Sequence, residues 1–222
     1  YTREIVKEIF KKDVKTRNRI SNLAVFERVQ NFIINNYSSP IAISNITDEL
    51  VKNGFKTKAS TIRNYVNYLE SAKIIYECNR FDLKSKKSLK KESKYYIADL
   101  SLYFSTNTDN QLNYGPSIEN IVYLYLASNN YQVSTGKIGN LECDFIIRNE
   151  KQEYAYIQVA YSLQGPDTET TKKIKEREFR PFKNIRNGYP RFIITLDKYR
   201  DQQEGVKHIN VIDLLLGKER LI

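Results

Sequence analysis

Two strand-like segments that follow each other closely constrain the fold of this chain most. They read LECDFIIR, residues 141–148, and YAYIQVAY, residues 154–161, and a short turn separates them. As a hairpin they bring Asp144 close to Gln158. This polar pair is a working metal site, the remnant of one, or a polar contact within a sheet. Strict alternation gives Asp144 three companions on its face of the strand: Glu142, Ile146 and Arg148.

The segments around this hairpin predict a mixed sheet covered by helices. A helix, SIENIVYLYLASNN, precedes the strand YQVSTGKI and the hairpin. A charged helix, TETTKKIKEREFRPFKNIRN, follows it, and then the apolar strand PRFIITLD and a strand with a helix in GVKHINVIDLLLG. The order α-β-β-β-α-β-β-α is typical of an α/β or α+β domain. The buried stripe of the first helix is expected to contain Ile118, Ile121, Val122 and Tyr125.

The first half of the chain has the element order of a winged helix. Three helices are predicted within NLAVFERVQNFIINNY, SNITDELVKNG and STIRNYVNYLESAKII, and Gly54 is expected to stop the second. A strand in IIYECNRFDLK and a return strand in KYYIADLSLYF follow, and the wing between them is residues 84–94. The polar stretch 105–117 is expected to separate the domains, so residues 17–104 form the winged-helix domain and residues 105–222 the second. Residues 1–16 are expected to be a helix or linker.

The charge distribution favours a polyanionic partner for the first half. The 222-residue chain has a net charge of +10; residues 1–110 hold 20 basic and 12 acidic side chains, and residues 111–222 hold 16 and 14. A basic surface of this kind fits duplex or single-stranded DNA, or RNA. The alternatives are a composition bias and a winged helix that contacts proteins. The candidate nucleic-acid contacts are Lys58, Arg63, Asn64, Lys84, Lys86, Lys87, Lys90, Lys91 and Lys94, with Tyr95, Tyr96 and Tyr103 as candidates for stacking on bases.

Cysteine usage and hydropathy place the chain among cytoplasmic proteins. Cys78 and Cys143 are isolated, without the spacing of a zinc site, and free thiols in a reducing compartment are expected. No apolar run approaches the ~20 residues that cross a membrane. His208, the single histidine, has no second histidine or suitable cysteine beside it in sequence, and a packing role is expected for it.

Oxygen-bearing side chains in the second half suit a hard divalent ion. Asp144, Gln158, Glu119 from the preceding helix and Glu142 are candidate ligands for Mg²⁺ or Mn²⁺. Two readings stay open for Arg177 and Arg180, which flank Glu178 in EREFRP. In one, they bind phosphate. In the other, which is slightly favoured, they form ion pairs with Glu119 or Asp144 and stabilise a site without catalytic activity.

These residues resemble a known family. A helix with a glutamate, a strand with ExDF and a following strand look like the PD-(D/E)XK nuclease fold. More narrowly, nearly the whole chain resembles the C-terminal region of bacterial AAA+ family ATPases, in which a winged helix precedes a domain of unknown function with a nuclease-like core. The stretches that carry this resemblance are STIRNYVNYLESAKIIYECNRFDLK, KYYIADLSLYF, SIENIVYLYLASNNYQVSTGKIGNLECDFI, YIQVAYSL, EREFRPFKNI and, in the last part of the chain, ITLD and GVKHINVIDLLL.

The resemblance implies a damaged catalytic site. Glu119 corresponds to the helix acid, Asp144 to the metal-binding aspartate, and Gln158 to the first position of the acid-x-Lys pair, whose lysine falls on Ala160. A methyl group cannot orient the attacking water, and Gln158 removes a negative charge from the metal site. An active enzyme therefore needs a replacement for the lysine, and the candidates are Lys137, Lys172 and Lys173.

Three functions follow as expectations. The main one is the DNA-binding and regulatory region of an AAA+ type ATPase, with an inactive nuclease-like domain. This sequence lacks the GxxxxGK[ST] phosphate loop, so ATP is expected to bind only to an ATPase module outside it. The second is an active metal-dependent nuclease with a displaced lysine. The third is a protein-interaction module that gates the ATPase.

Overall fold

The computed structural model describes residues 4, 8, 20–83, 87–106, 114–138, 141–185, 187–201, 203 and 205–222. Within these residues the fold is mixed α/β, as predicted, with an eight-stranded mixed sheet in the order β1-β3-β2-β4-β5-β6-β7-β8. Two compact units are present. The first comprises Tyr1–Cys78 and Lys91–Leu112, and the second Asn79–Lys90 and Asn113–Ile222. The sequence placed the boundary at residue 105 and assigned the whole of residues 79–90 to the first domain.

The first unit is built from short amphipathic helices. Helix α1 spans Leu23–Asn35, strand β1 Pro40–Ile41, helix α2 Ile43–Lys52, and helix α3 Ala59–Ser71. The three predicted helices are therefore confirmed. Their apolar faces pack together because helical spacing places one buried residue on each successive turn. The fully buried members of this core include Phe26, Val29, Ile33, Ile62, Val66 and Leu69.

The predicted stop of the second helix is also confirmed. Gly54 has a φ of 84°, which L side chains rarely adopt, and its N–H donates to the carbonyl of Val51. The next residue, Phe55, donates its N–H to the carbonyl of Leu50, which closes the helix end. The chain then turns toward α3.

The segment around the predicted wing differs from the expectation. Strand β2 spans Ile75–Asp82, and strand β3 spans Lys87–Ile97, so most of the lysine-rich segment is strand rather than loop. Lys84 and Lys86 lie outside the described residues. The return strand stops at Ile97, and LSLYF, which was predicted to continue it, belongs instead mostly to helix α4, Ser101–Thr106. The side chain of Asp99 accepts the N–H of Ser101, which competes with strand pairing at this point.

The second unit has the predicted element order. Helix α5 spans Tyr114–Ser128, strands β4, β5 and β6 span Gln132–Ile138, Leu141–Arg148 and Tyr154–Val159, and helix α6 spans Thr168–Phe179. A 3₁₀ helix, Arg180–Asn184, follows. Strands β7, Arg191–Thr195, and β8, Val206–Asn210, and helix α7, Val211–Leu215, complete the order.

Strand directions in this unit are mixed. β4, β5 and β6 pair antiparallel, whereas β6, β7 and β8 pair parallel, and the end of β2 pairs parallel with β4. Strand β7 is almost entirely buried, as its continuous apolar sequence predicts. On α5 the buried stripe contains Ile118 and Val122 as predicted, but Tyr123 and Leu126 take the places expected for Ile121 and Tyr125.

A β-bulge interrupts the alternation of β5. Ser134 of β4 pairs with Ile146, but Gly136 pairs with Cys143, so β5 holds one extra residue between these positions. Cys143 and Ile146, which strict alternation puts on opposite faces, consequently join the same apolar cluster. Gly136 makes this arrangement possible, because a Cβ there would lie 3.0 Å from Cγ1 of Ile146 and 3.1 Å from Cβ of Cys143. Asp144 lies within the bulge, so it does not follow the regular alternation of faces along β5.

Among the helices within the described residues, none combines the length and apolar character needed to cross a bilayer.

Candidate functional site

The hairpin brings Asp144 and Gln158 together, as the sequence predicts. The N–H of Val159 donates to Oδ2 of Asp144 at 2.8 Å, and the N–H of Asp144 donates weakly to Oε1 of Gln158 at 3.4 Å. Asp144 is buried, with 8% of its surface exposed. A buried carboxylate needs such donors, since its water shell is lost.

Helix α6 adds a second buried carboxylate to this pair. Nε2 of Gln158 donates to Oε2 of Glu178 at 3.1 Å, and Nε of Arg177 donates to Oε1 of Glu178 at 2.7 Å. The side chain of Glu178 is 7% exposed, whereas that of Arg177 is 73% exposed. We call these four residues, Asp144, Gln158, Glu178 and Arg177, the acidic cluster.

The pKa of Glu178 is raised above its ordinary value. Burial is the main cause, since it disfavours the charged carboxylate, and the nearby Asp144 carboxylate acts in the same direction. The hydrogen bond and charge of Arg177 and the hydrogen bond from Gln158 oppose the shift. The net direction shows that Arg177, largely in solvent, compensates only part of the burial.

Arg177 therefore pairs with an acid, but that acid is its neighbour Glu178 rather than the predicted Glu119 or Asp144. Arg180 is exposed and forms the C-cap of α6. Glu119 lies half-buried on α5, the helix that packs against β4 and β6.

The other acid of the LECDF strand is engaged elsewhere. Oε2 of Glu142 lies 3.3 Å from Nη2 of Arg80, on the end of β2. Glu142 also sits opposite Lys137 across the β4–β5 pair. The bulge separates this region from Asp144, so the charge that Glu142 was expected to add to the Asp144 site is directed to Arg80.

The three lysines considered as replacements for a catalytic lysine lie on α6 and β4. Lys172 and Lys173 are exposed on α6, and Nζ of Lys173 lies 2.6 Å from Oε1 of Glu169. Lys137 occupies β4 in the register described above. Ala160, where the resemblance expects the lysine, is buried and donates its N–H to the carbonyl of Ile194.

The donor set does not fit a divalent metal ion. Both oxygens of Glu178 receive protein donors, and Oδ2 of Asp144 receives a backbone N–H. Within the ranges that the structure describes, no three His, Cys, Asp or Glu side chains are grouped so that they could hold a metal. A Mg²⁺ or Mn²⁺ ion needs several such oxygens free at about 2.0–2.6 Å.

Apart from Arg63, the predicted nucleic-acid residues that the structure describes fall into three groups. Lys58 and Asn64 are exposed on α3, and Lys58 is its N-cap but makes no capping hydrogen bond with its side chain. Lys94 is buried opposite Pro40. Lys87, Lys90 and Lys91 belong to β3, and their side chains lie outside the described part of the structure.

Arg63 is held by a partly buried network. Its Nη1 lies 3.1 Å from Oε1 of Glu77, and the hydroxyl of Tyr95 donates to the same oxygen at 3.0 Å. Burial and the charge of Glu77 raise the pKa of Tyr95 far above its ordinary value. We call Arg63, Glu77 and Tyr95 the Tyr95 network.

The tyrosines proposed to stack on bases are placed differently from the expectation. Tyr95 and Tyr96 are fully buried, and the ring of Tyr103 packs 5.0 Å from that of Tyr37. Tyr95 and Tyr96 are consecutive residues of β3 and point to opposite faces, so both faces of the strand are covered at this point, and Tyr103 on α4 packs partly buried against the core.

Sequence reasoning missed a polar network at the carboxyl ends of β7 and β8. His208 is buried, as expected for a packing residue. Its Nδ1 accepts the N–H of Asp201, so the neutral ring carries its proton on Nε2, which donates to the hydroxyl of Thr195 at 2.7 Å. Burial lowers the pKa of His208, against the opposing charges of Asp197 and Asp201.

Comparison with known proteins gives the family. The fold defines a mixed α/β protein, and a family model described as a domain of unknown function (DUF8612) matches residues 1–112. The chain belongs to this family.

Two uncharacterized proteins are similar over most of the chain. One, from Haemophilus influenzae, is 30% identical and aligns with 92% of this chain and 49% of its own length. The other, from Methanocaldococcus jannaschii, is 32% identical and aligns with 99% of this chain and 48% of its own length. The chain thus spans about half the length of the curated relatives it matches.

Two solved structures were also found at low similarity. The restriction endonuclease FokI matches with a TM-score of 0.27 and 11% identity over 86% of this chain and 42% of its own. FokI bound to DNA matches with a TM-score of 0.24 and 12% identity, over 87% and 44% of the two chains. Scores this low do not establish a shared fold.

Proposed function

We propose that this chain is the nucleic-acid-binding, regulatory region of an AAA+ type ATPase, and that its second unit is a nuclease-like domain without nuclease activity. The acidic cluster carries the second part of this proposal. Both oxygens of Glu178 and Oδ2 of Asp144 accept protein donors, and Ala160 stands where the resemblance expects the lysine that cleavage needs. The resemblance of the sequence stretches to the C-terminal region of AAA+ ATPases supports the first part.

The start of α3 supports DNA as the partner of the first unit. Because Lys58 gives no side-chain cap, the first N–H groups of a 13-residue helix are left for other acceptors. Lys56 and Lys58 are exposed beside them, and Asn64 is exposed one turn further along. A helix N-terminus with flanking lysines attracts a phosphate.

Binding to labelled duplex DNA, measured by fluorescence anisotropy at several salt concentrations, tests this proposal. We expect affinity to fall steeply with salt, and Lys58→Glu to weaken binding and reduce the log–log salt slope by about 0.9 or more. Lys151→Glu, which makes the same charge change at an exposed position of the second unit, is the matched control. Equal effects of the two variants, or no binding at low salt, would contradict DNA binding by α3 and favour a protein-interaction module.

The absence of catalysis is tested with plasmid DNA and Mg²⁺ or Mn²⁺. We expect no cutting above that of the Asp144→Ala variant. Metal-dependent cutting that Asp144→Ala abolishes would instead establish the active nuclease with a displaced lysine. ATP hydrolysis by the full-length protein tests the ATPase assignment.

A further inference from the structure

A pair of stacked tyrosines stands exposed on the second unit. The ring centroids of Tyr114 and Tyr161 are 5.7 Å apart with 27° between the ring planes, and the two residues are 47% and 50% exposed. Each ring covers one face of the other, so roughly half of each residue remains in solvent. Offset stacking of this kind leaves outer ring faces on which a further planar group can stack.

The pair is held in place rather than loosely attached. The carbonyl of Tyr161 accepts the N–H of Leu196 at 3.1 Å. The next two residues are fixed by one carboxylate, since the hydroxyl of Ser162 and the N–H of Leu163 donate to the two oxygens of Asp197 at 2.6 and 2.7 Å. Tyr114 is the first residue of α5. A ring that is already ordered loses little conformational entropy when a ligand stacks on it.

The position of the pair relates it to the acidic cluster. Tyr161 lies two residues past Val159, where β6 ends, and three residues after Gln158, which spans at most about 10 Å of extended chain. Gln158 contacts Glu178, and Glu178 holds the largely exposed guanidinium of Arg177. Exposed cations on the same helix, Lys172 and Arg180, add positive charge along α6.

We propose that Tyr114 and Tyr161 form a stacking platform for an unpaired nucleobase, and that the second unit binds single-stranded nucleic acid along β6 and α6. Aromatic rings stack on bases of any sequence, and cations follow the phosphate backbone. An internal base pair of a duplex has both faces covered by its neighbours, so only a single strand or a frayed end offers a free face. This inference rests on the proposed function and specifies the strand that the second unit would take.

The probe is a single-stranded oligonucleotide that contains 2-aminopurine, whose fluorescence falls when the base stacks. The chain has no Trp, so the signal is not overlapped by indole emission. We expect quenching on binding to the wild-type protein and to Tyr161→Phe, which keeps the ring. Tyr161→Leu and Tyr114→Leu should raise Kd about 5- to 140-fold, the range that the loss of one base–aromatic stack gives.

Tyr199→Leu is the matched control, because Tyr199 is a surface tyrosine of the same unit with 89% of its surface exposed. An RNA of the same sequence is titrated beside the DNA, and the strand that the wild type binds more tightly identifies the source of the base. The inference is overturned if Tyr161→Leu and Tyr199→Leu give the same Kd and the same quenching, or if the wild type does not bind single strands.

Duplex binding separates this failure from failure of the proposed function. If duplex affinity depends on Lys58 but not on Tyr161, the proposal that the first unit binds DNA stands, whatever the single-strand result. Circular dichroism of each variant confirms that it is folded. Tyr161→Leu and Tyr114→Leu test the same stack independently, so either one decides the inference if the other does not fold.

Discussion

Each of the two units contains an Arg–Glu pair joined to a third polar side chain, but the two are built differently. In the Tyr95 network, Arg63 is 37% exposed, and the carboxylate of Glu77 also accepts the hydroxyl of a fully buried tyrosine. In the acidic cluster, Arg177 is 73% exposed, and a second carboxylate, Asp144, lies beyond the amide of Gln158. The first network balances its buried charge with a nearby cation, whereas the second brings two acids together with a cation mostly in solvent.

The difference indicates which network serves stability. A buried acid that keeps a second acid nearby loses stability relative to a neutral group, and the raised pKa of Glu178 is the sign of that loss. Perturbed pKa values of this kind cluster at functional sites, and structural ion-pair networks also produce them. The predictions below test this contrast, beginning with the variant of largest expected effect.

Removal of the Tyr95 hydroxyl should destabilise the first unit most. Tyr95→Phe removes a hydrogen bond to a charged, half-buried acceptor, and the expected loss is about 1.5–3 kcal/mol of unfolding free energy. Urea unfolding measures it. Tyr68→Phe is the control, since none of the contacts described for its side chain uses the hydroxyl. A loss no greater than that of the control would remove the distinction between the networks.

Gly136→Ala tests whether the acidic cluster depends on the bulge. The added Cβ would lie 3.0–3.1 Å from Ile146 and Cys143, so the expected destabilisation is about 1–3 kcal/mol from overpacking. Gly188→Ala, where the Cβ meets nothing within 4 Å, should change stability by less than about 0.5 kcal/mol. Thermal unfolding compares the two, and equal Tm values would show that β5 can regularise without loss.

The pH dependence of stability should report on Glu178. An acid with a raised folded-state pKa favours folding fully below its unfolded pKa, about 4.3, and that contribution declines as pH rises through the folded pKa. Glu178→Gln removes this decline and adds only a constant offset from altered hydrogen bonds. Urea unfolding between pH 4 and 8 should therefore show a flatter curve for Glu178→Gln than for Glu176→Gln, an exposed acid on the same helix. Parallel curves would contradict a raised pKa.

The smallest expected effect comes from the exposed arginine. Arg177→Gln should reduce the unfolding free energy by less than about 1 kcal/mol, because solvent screens a mostly exposed ion pair. Arg63→Gln, measured under the same conditions, should reduce it more, since the side chain of Arg63 is 37% exposed and that of Arg177 is 73% exposed. The reverse order would show that Arg177 is the main support of its buried partner.

The sequence predicted the elements of the second unit well because their apolar patterns are unambiguous. The bounds of LECDFIIR as a strand were predicted in full, and the approach of Asp144 to Gln158 followed from hairpin pairing. The partner of Gln158 could not be predicted in the same way. Glu178 reaches it through the packing of α6 on β6, which depends on tertiary contacts rather than on a local pattern.

Two predictions from the sequence were wrong, the faces of β5 and the end of β3, and in both places the backbone changes its register or direction locally. The bulge in β5 moves Cys143 to the face of Ile146, and nothing in the residue pattern marks the extra residue except Gly136 on the neighbouring strand. The predicted return strand after Ile97 turns into α4 because Asp99 offers an alternative hydrogen bond to the backbone. The assignment of a winged helix, and the uses proposed for it and for the site residues, stay predictions.

The bulge also determines how this region would respond to insertions and deletions. Removal of Asp144 or Phe145 would delete the extra residue, so β5 could pair with β4 without interruption while the residues on both sides keep their partners and faces. Cys143 and Ile146 would then stay on one face as neighbours two residues apart, whereas the segment that brings Asp144 to Gln158 and to the N–H of Val159 would lose one residue. The acidic cluster therefore requires the length of this strand as well as its aspartate. A homologous chain that aligns with a gap here is not expected to keep the cluster.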